Sequence, residues 1–273
     1  VNTIDANTIK GCKGKGINIY NKSTVDTITA NDISNCTEHG IIVGNSSKVT
    51  TVSGNTISSN GGTESAITAY EKGTIGTIEK NTIQNTSANA VGYSNSVFKI
   101  TGSATVGNII ENTLVSTGDA LVCASAVLMD NATVTGNIQD NELGSTESHA
   151  IKLTNKSTVG GNISSNTVHK VTAGCGLLMG SGAVIKGSIS GNTFDNVYLK
   201  GIKITERSKV SGNIDSNILT TKEEGILIYQ GTVTGKITGN KIVSQDRSIK
   251  ITESQIGECK AEDNECSNEV YYR

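Results

Sequence analysis

The side chains of this 273-residue chain that are best suited to chemistry share one repeating position, just before a short apolar strand motif. In chain order that position holds His39, Ser65, Asn89, Asp119, His149, Cys175, Lys200, Glu224 and Arg247. If these motifs stack on one another, Asp119 and His149 are neighbours, and a carboxylate that orients an imidazole is a general-base arrangement. We therefore take Asp119 and His149 as candidate catalytic residues. The alternative is an exposed polar corner that holds them as an incidental pair.

The sequence contains no cluster of residues that suits a metal ion or a cofactor. The position that should point outward from the same strand motif holds no carboxylate, and a calcium site needs several converging oxygen ligands. The cysteines include no C-x-x-C pair, and no histidine stands beside a cysteine pair, so a zinc site is not indicated. We predict neither a metal nor a cofactor. The outward position, in chain order, holds Asn18, Ile42, Thr68, Gly92, Val122, Lys152, Leu178, Lys203, Leu227 and Lys250.

The elements that must position these side chains are set by a repeat of 23 to 31 residues that runs from end to end. Its frame is V-x-x(x)-I-x-x-N-x-[IL], then several polar residues, then G-I-x-I. A period in this range is typical of solenoids, in which stacked repeats bury one another. The asparagines of the frame are Asn7, Asn31, Asn55, Asn81, Asn112, Asn141, Asn166, Asn192, Asn217, Asn240 and Asn264.

Each repeat predicts three short strands with alternating inward side chains, and in-register stacking of about eleven coils gives an all-β parallel β-helix. The frame is rich in Val and Ile, which pack well on a pleated surface. An amide both donates and accepts hydrogen bonds, so stacked asparagines can bond to one another and to the turn backbone. We predict that the frame asparagines form an internal structural ladder, and we treat residues 1–273 as a single domain.

This frame resembles the right-handed parallel β-helix repeats of the pectate-lyase-like superfamily, which have an asparagine ladder and about one repeat per coil. The resemblance implies a right-handed, single-stranded β-helix. It leaves the activity open, because the superfamily contains lyases, galacturonidases, epimerases, phage tailspikes and bacterial surface proteins. The calcium-binding aspartates of the lyases and the paired aspartates of the galacturonidases are missing. Only two fragments, Glu38-His39-Gly40 and Arg247-Ser248-Ile249-Lys250, partly resemble galacturonidase motifs. We therefore transfer no catalytic residue from that family to this chain.

Two coils carry extra residues, which we place at the corner after the G-I-x-I strand. Most coils use about six residues at this corner, whereas Tyr93 to Val106 spans thirteen and Cys123 to Val134 spans eleven. Insertions on one face of a solenoid often form its binding face. We therefore predict binding residues in these segments, or else two loops that only pack on each other. The candidate binding residues are Phe98, Leu128 and Met129.

The spacing of four cysteines suggests two disulfide bonds. Cys12 and Cys36 each follow a ladder asparagine by five residues, so they should lie on adjacent coils about 4.8 Å apart, within reach of a bridge. Cys259 and Cys266 lie in the last coil and could staple its end. Buried free thiols are the alternative for all four residues.

Composition and charge narrow the class of partner. A net charge of about −2 provides no basic stripe for nucleic acid, and no stretch approaches a membrane span. The chain opens inside a repeat, which suggests a piece of a larger secreted or surface protein. We predict a secreted or cell-surface bacterial module, with monomer favoured, that binds a polysaccharide or host glycan or has a structural role. A polysaccharide lyase or glycosidase and a trimeric phage tail-fibre segment are the alternatives.

Overall fold

The computed structural model describes residues 1–58, 64–84, 96–115 and 125–273, and these form a parallel β-helix of about 10 turns. Each coil runs along three faces in the same order, and strands of successive coils pair in parallel. The predicted all-β architecture is confirmed. The one helix among the described residues is a short 3-10 turn at Ala261–Asp263.

The first face carries the inward Val and Ile of the V-x-x-I frame. Val49 and Val52, for example, are fully buried and stack on Ile75 and Ile78 of the next coil. In the middle coils a Gly-containing break divides the strand in two. The strands of this face are Thr3–Asp5, Thr24–Thr29, Lys48–Ser53, Thr74–Glu79, Thr105–Ile110, Thr133–Val134, Ile138–Gln139, Thr158–Val159, Ile163–Ser164, Val184–Ile185, Ile189–Ser190, Lys209–Val210, Ile214–Asp215, Thr232–Thr238 and Gln255–Cys259.

The second face follows the ladder asparagine and contributes one or two inward aliphatic or aromatic side chains per coil, such as Ile83 and Phe194. It consists of two sheets along the rod. Its strands are Thr8–Lys10, Asp32–Ser34, Thr56–Ser58, Thr82–Gln84, Thr113–Val115, Ser145–Thr146, Thr167–Val168, Lys170–Val171, Thr193–Val197, Ile218–Thr221, Lys241–Ser244 and Glu265–Cys266.

The third face is a continuous 11-stranded sheet that contains the G-I-x-I motif. Its first and third motif positions point inward, as Ile41 and Val43 do with no exposed surface, and the middle position points outward. The strands of this face are Ile17–Ile19, Ile41–Val43, Ile67–Ala69, Ser96–Thr101, Ser125–Asp130, Ile151–Thr154, Leu177–Met179, Ile202–Thr205, Ile226–Tyr229, Ile249–Thr252 and Val270–Tyr272.

The corner between the first and second faces explains why asparagine recurs there. The residue just before the ladder position has a positive φ in coil after coil, including the non-glycine residues Ala30 (52°), Lys80 (54°) and Ser165 (53°). A non-glycine residue in this left-handed region is strained and persists only where its surroundings hold it. The asparagine that follows supplies those restraints through its side chain.

The ladder itself is continuous, as predicted. The amide Nδ2 of Asn112 donates to Oδ1 of Asn141 at 3.0 Å, and the backbone N–H of Asn112 donates to the same oxygen at 3.0 Å. The Asn141 amide then repeats this pair of bonds with Asn166. The side-chain bonds run without a break from Asn7 to Asn264, and the interior members expose 0–1 % of their surface. The asparagines are therefore structural parts of the core.

Candidate functional site

The register of the third face decides which side chains can act together. Phe98 pairs with Ile67 of the coil before and with Val127 of the coil after, and Val127 pairs with Ile151. The G-I-x-I position of these two coils is therefore 98–100 and 127–129. The placement of the extra residues after this strand was wrong, because they precede it, in stretches that lie outside the described residues (85–95 and 116–124).

This register corrects the predicted binding residues. Phe98 and Met129 are inward strand residues with no exposed surface, packed in the core with the other apolar columns. They do not lie in surface loops. Leu128 is different, since it occupies the outward middle position of its strand and is half-buried.

The same register shows which described residue lies beside the candidate catalytic residue His149. Asp119 lies outside the described residues. The position that stacks below His149, two residues before the inward strand residue, belongs to Ser125. The column that placed Asp119 beside His149 is therefore not the strand register of the fifth coil, and the pairing of these two residues stays a prediction.

His149 is held in a form that is poorly suited to a general base. Its Nδ1 accepts a hydrogen bond at 2.9 Å from the backbone N–H of Cys175 on the next coil. Burial lowers the pKa of His149 to about 4, and the charges of Lys152 and Lys203 lower it as well. At neutral pH the imidazole is uncharged, and one of its two nitrogens is already occupied. This arrangement favours a structural role at the corner.

We expect His149 to make stability pH-dependent on the acid side. An unfolded histidine has a pKa of about 6.5, so the neutral ring favours the folded state above that pH, and this contribution is lost as the pH falls toward 4. Urea unfolding of the wild type and His149→Gln at several pH values tests this, because the glutamine oxygen can accept the same bond without titrating. The difference in unfolding free energy should fall by about 1–3 kcal/mol between pH 8 and pH 4. If the unfolding free energies of the two proteins changed equally with pH, a stabilising role for neutral His149 would be contradicted.

His39 forms a second buried polar group on the same side of the rod. Its Nδ1 lies 3.0 Å from the hydroxyl of Thr68 and 3.3 Å from the carbonyl oxygen of Ser65, and its Nε2 lies 3.2 Å from Glu64. Burial lowers the pKa of His39, and the Glu64 carboxylate opposes this shift. A carboxylate, an imidazole and a hydroxyl in a row resemble a nucleophile relay. However, Thr68 is only 2 % exposed, so its hydroxyl is not presented to solvent.

The corrected register reveals a regular pattern on the outer surface of the third face. From the fourth coil onward, the outward middle position alternates between lysine and leucine, and a tyrosine ends the series. All of these residues are half-buried, and none is acidic. We call this column the Lys/Leu stripe. It consists of Lys99, Leu128, Lys152, Leu178, Lys203, Leu227, Lys250 and Tyr271.

Three lysines of the stripe have ammonium groups that are available to an anionic ligand. Lys99, Lys152 and Lys203 form no ion pair with any residue that the structure describes, whereas Lys250 lies 3.2 Å from the carboxylate of Glu224. In water a lysine ammonium that has no partner remains charged and hydrated. The face therefore presents positive charge although the whole chain is slightly acidic.

Glu224 links the stripe to the corner beside it. Its carboxylate is 6 % exposed and lies between Lys250 and Lys200, with Lys200 at 3.6 Å. Lys200 also pairs with Glu223. Burial alone would raise the pKa of Glu224, but hydrogen bonds from its own backbone N–H and from Lys250, together with the charge of Lys200, lower it below its usual range. These bonds hold the Lys250 ammonium at the edge of the face.

An aromatic pair lies at the other end of the third face. Tyr20 and Tyr70 follow the strands of the first and third coils, and Gly44 is the corresponding residue of the coil between them. The Tyr70 ring covers Gly44 so closely that a β-carbon there would overlap it. Burial raises the pKa of Tyr70, with smaller contributions from neighbours that include Tyr20. The glycine thus lets two tyrosines from non-adjacent coils approach each other.

The cysteine pairs lie where the spacing predicted. The backbone N–H of Thr37 donates to the carbonyl of Cys12, so Cys12 and Cys36 occupy adjacent coils. Burial raises the pKa of Cys36 to about 11, and a side-chain hydrogen bond with Cys12 also raises it. Cys259 and Cys266 both pack against the end of the core. The two disulfide bonds remain predictions.

One structural column was missed at the sequence level. A second, half-buried ladder runs along the first face, where a backbone N–H bonds to the side-chain oxygen of the preceding coil. Asn137 donates in this way to Asn108, and Asn162 to Asn137, at 2.8–2.9 Å. The series continues through Ser188 and Asn213. The recurring Gly-Asn-Ile and Gly-Ser-Ile tripeptides at 136–138, 161–163, 187–189 and 212–214 were the available signal.

The described residues form neither a cluster of metal ligands nor a membrane-spanning helix. The described ranges hold no group of three or more His, Cys, Asp and Glu side chains that is suited to a metal ion. Within the part of the chain that the structure describes, no helix is long and apolar enough to cross a bilayer.

Comparison with known proteins relates the first part of the chain to a protein family. Residues 1–118 match the family model described as "Periplasmic copper-binding protein (NosD)". This is less than half of the 273 residues, so the chain is similar to that family over its first coils. No curated protein matches the chain, and no solved structure matches it. The match agrees with the parallel β-helix architecture, and the periplasmic description is consistent with a location outside the cytoplasm.

Proposed function

We propose that this chain is an extracytoplasmic β-helix module that binds an acidic polysaccharide along its third face. The observation that carries the proposal is the Lys/Leu stripe, where three lysines with no ion pair among the described residues alternate with leucines along one column of a continuous sheet. A linear polymer suits a linear array, since each further coil repeats the same contact. Tyr20 and Tyr70 extend the same face with aromatic surface, on which sugar rings can pack.

The arrangement favours binding through many weak contacts. An exposed lysine–carboxylate pair contributes about 0.2–1 kcal/mol and weakens with salt. Several such pairs along one polymer add to a useful affinity only if the array is already ordered, because flexible side chains or loops must otherwise lose entropy on binding. Here the stripe residues are half-buried on a continuous sheet, which limits that loss.

Substitution of the central lysines tests the proposal. We expect Lys152→Gln/Lys203→Gln to weaken binding to a soluble uronate polymer by about 2- to 30-fold, which corresponds to the loss of two surface pairs. Affinity electrophoresis and calorimetry at low and at physiological salt measure this change. The matched control is Lys48→Gln/Lys209→Gln, which makes the same charge change at exposed positions of the first face.

The outcomes separate specific binding from general attraction. Equal losses in the two double variants would show that only net charge matters, and they would refute the third-face site. Binding of neutral polymers with the same affinity would also refute it. Strong weakening by salt together with an effect limited to Lys152 and Lys203 supports the proposal.

Copper binding, named in the description of the matching family, is not supported by the described residues of the matched region. His39 has both ring nitrogens engaged, and burial raises the pKa of Cys36, which opposes the thiolate that a copper ion needs. No third ligand joins Cys12 and Cys36 among the described residues. We therefore assign no copper-dependent step to this chain. Secretion and attachment to the cell surface are both compatible with the proposed role.

A further inference from the structure

The Lys/Leu stripe has a period of two coils, and this period restricts the kind of ligand more closely than the positive charge alone does. Successive coils of a parallel stack lie about 4.8 Å apart, so its lysines recur about every 9.6 Å. The register along the third face places one of them on every second coil, at Lys99, Lys152, Lys203 and Lys250. The three intervening coils present leucines.

We propose that the ligand is an unbranched polymer in which acidic and neutral sugars alternate. This inference rests on the proposed polysaccharide function and narrows it to a substrate class. A polymer with an acid on every second sugar can place one anionic group beside each lysine while a neutral sugar lies over each leucine. A homopolymer of uronic acids has the acid on every sugar, so about half of its carboxylates would face leucine side chains.

The leucines make this mismatch costly. A carboxylate pressed against an apolar side chain loses water without gaining a hydrogen-bond donor, which is unfavourable. The C–H face of a neutral sugar loses little in the same place, and it covers apolar surface that the half-buried leucines leave in water. The alternation therefore selects for neutral units as well as for acidic ones.

The spacing also explains how four lysines can share one column. At about 9.6 Å two ammonium groups are separated by about one Debye length at physiological salt, so their mutual repulsion is largely screened. Lysines on adjacent coils would be about 4.8 Å apart and would repel more strongly. Glu224 relieves part of the charge at the Lys250 end, and the three other lysines remain available for ligand.

A variant with exchanged residues tests the period without changing composition. Lys203→Leu/Leu227→Lys keeps the number of lysines and leucines in the stripe but breaks the alternation, and the same variant leaves the inward residues untouched. The probes are oligosaccharides of glucuronate alternating with N-acetylglucosamine and oligogalacturonate of matched length. We expect the wild type to prefer the alternating probe, and the exchange to weaken binding to that probe about tenfold, while binding to oligogalacturonate changes little.

The outcomes distinguish failure of the alternating-sugar proposal from failure of acidic polysaccharide binding itself. If the wild type binds both acidic probes equally and the exchange has no effect, the alternation is refuted, although acidic polysaccharide binding stands. If the wild type binds neither probe, the proposed function fails and this inference fails with it. Tighter binding to duplex DNA than to either sugar would also overturn both, since it would indicate a site for any polyanion. Lys152→Leu/Leu178→Lys repeats the test at other coils if the first variant unfolds.

Discussion

Replacement of Asn141 by alanine is expected to destabilise the rod by about 3–5 kcal/mol. The Asn141 side chain donates to the carbonyls of Ile109 and Gln139 and to Oδ1 of Asn166, all at 2.9 Å. Its own Oδ1 accepts two hydrogen bonds from Asn112, one from the backbone N–H and one from the side-chain Nδ2. Alanine removes all of these bonds at once in a site with 1 % exposure. Each buried group left without a partner costs roughly 1–3 kcal/mol.

Chemical denaturation of the wild type and Asn141→Ala gives this loss directly. Asn18→Ala is the matched control, because it makes the same change at an exposed outward strand position and should alter the unfolding free energy by less than about 0.5 kcal/mol. In a solenoid the defect lies between two stacked halves, so the variant is also expected to unfold less cooperatively. A loss below about 1 kcal/mol would mean that the ladder contributes little, and it would remove the main reason for the recurring asparagine.

The fold could be predicted from the sequence because two independent patterns agreed. Inward Val and Ile columns and the buried asparagine column each require the same stacking, and a parallel stack is the arrangement that satisfies both. Ten of the frame asparagines, from Asn31 to Asn264, are buried in one line. Buried positions constrain the residue type strongly, so they leave a periodic record in the sequence.

The surface could not be predicted equally well, because its register depends on where extra residues are inserted. In the fourth and fifth coils, a triplet whose two ends are apolar or aromatic stands both before and within the true strand, as at 91–93 and 98–100, and the sequence pattern does not distinguish them. The choice of the first triplet placed Gly92 and Val122 in the outward column. With Lys99 and Leu128 there instead, the alternation starts at the fourth coil. Local patterns cannot resolve this choice, whereas pairing with both neighbouring coils can.

The same error lies in the alignment on which the candidate catalytic pair was based. The sequence alignment of the fifth coil was displaced by several residues, so the column in which the sequence placed Asp119 holds Ser125 in the strand register. An error in the register of one coil changes every lateral neighbour on that coil, and here it also placed the core residues Phe98 and Met129 in loops. Chemistry that depends on neighbours in adjacent coils is therefore the least predictable property of such a chain.

The strongest test of the corrected register compares Phe98→Ala with Leu128→Ala. Phe98 has no exposed surface, and its inward ring packs between Ile67 and Val127, so its truncation is expected to cost about 3–5 kcal/mol of stability. Leu128 points outward on the adjacent coil and is half-buried, so its truncation should cost less than about 1.5 kcal/mol. Unfolding midpoints in guanidinium, followed by circular dichroism, give both values.

Ligand binding should be affected more by Leu128→Ala than by Phe98→Ala, which is the reverse of the order for stability. This reversal distinguishes a core residue from a surface residue. Folded Phe98→Ala, studied well below its unfolding midpoint, should bind an acidic oligosaccharide as the wild type does, since the residue does not reach the stripe. Leu128→Ala should weaken that binding by about 2- to 10-fold through lost apolar contact. If Phe98 instead proved silent for stability and important for binding, the strand would have to lie elsewhere, and the loops first predicted as the binding face would again hold the site. The two positions are 30 residues apart in the sequence and lie on adjacent coils. Comparing the two variants therefore tests the strand register directly.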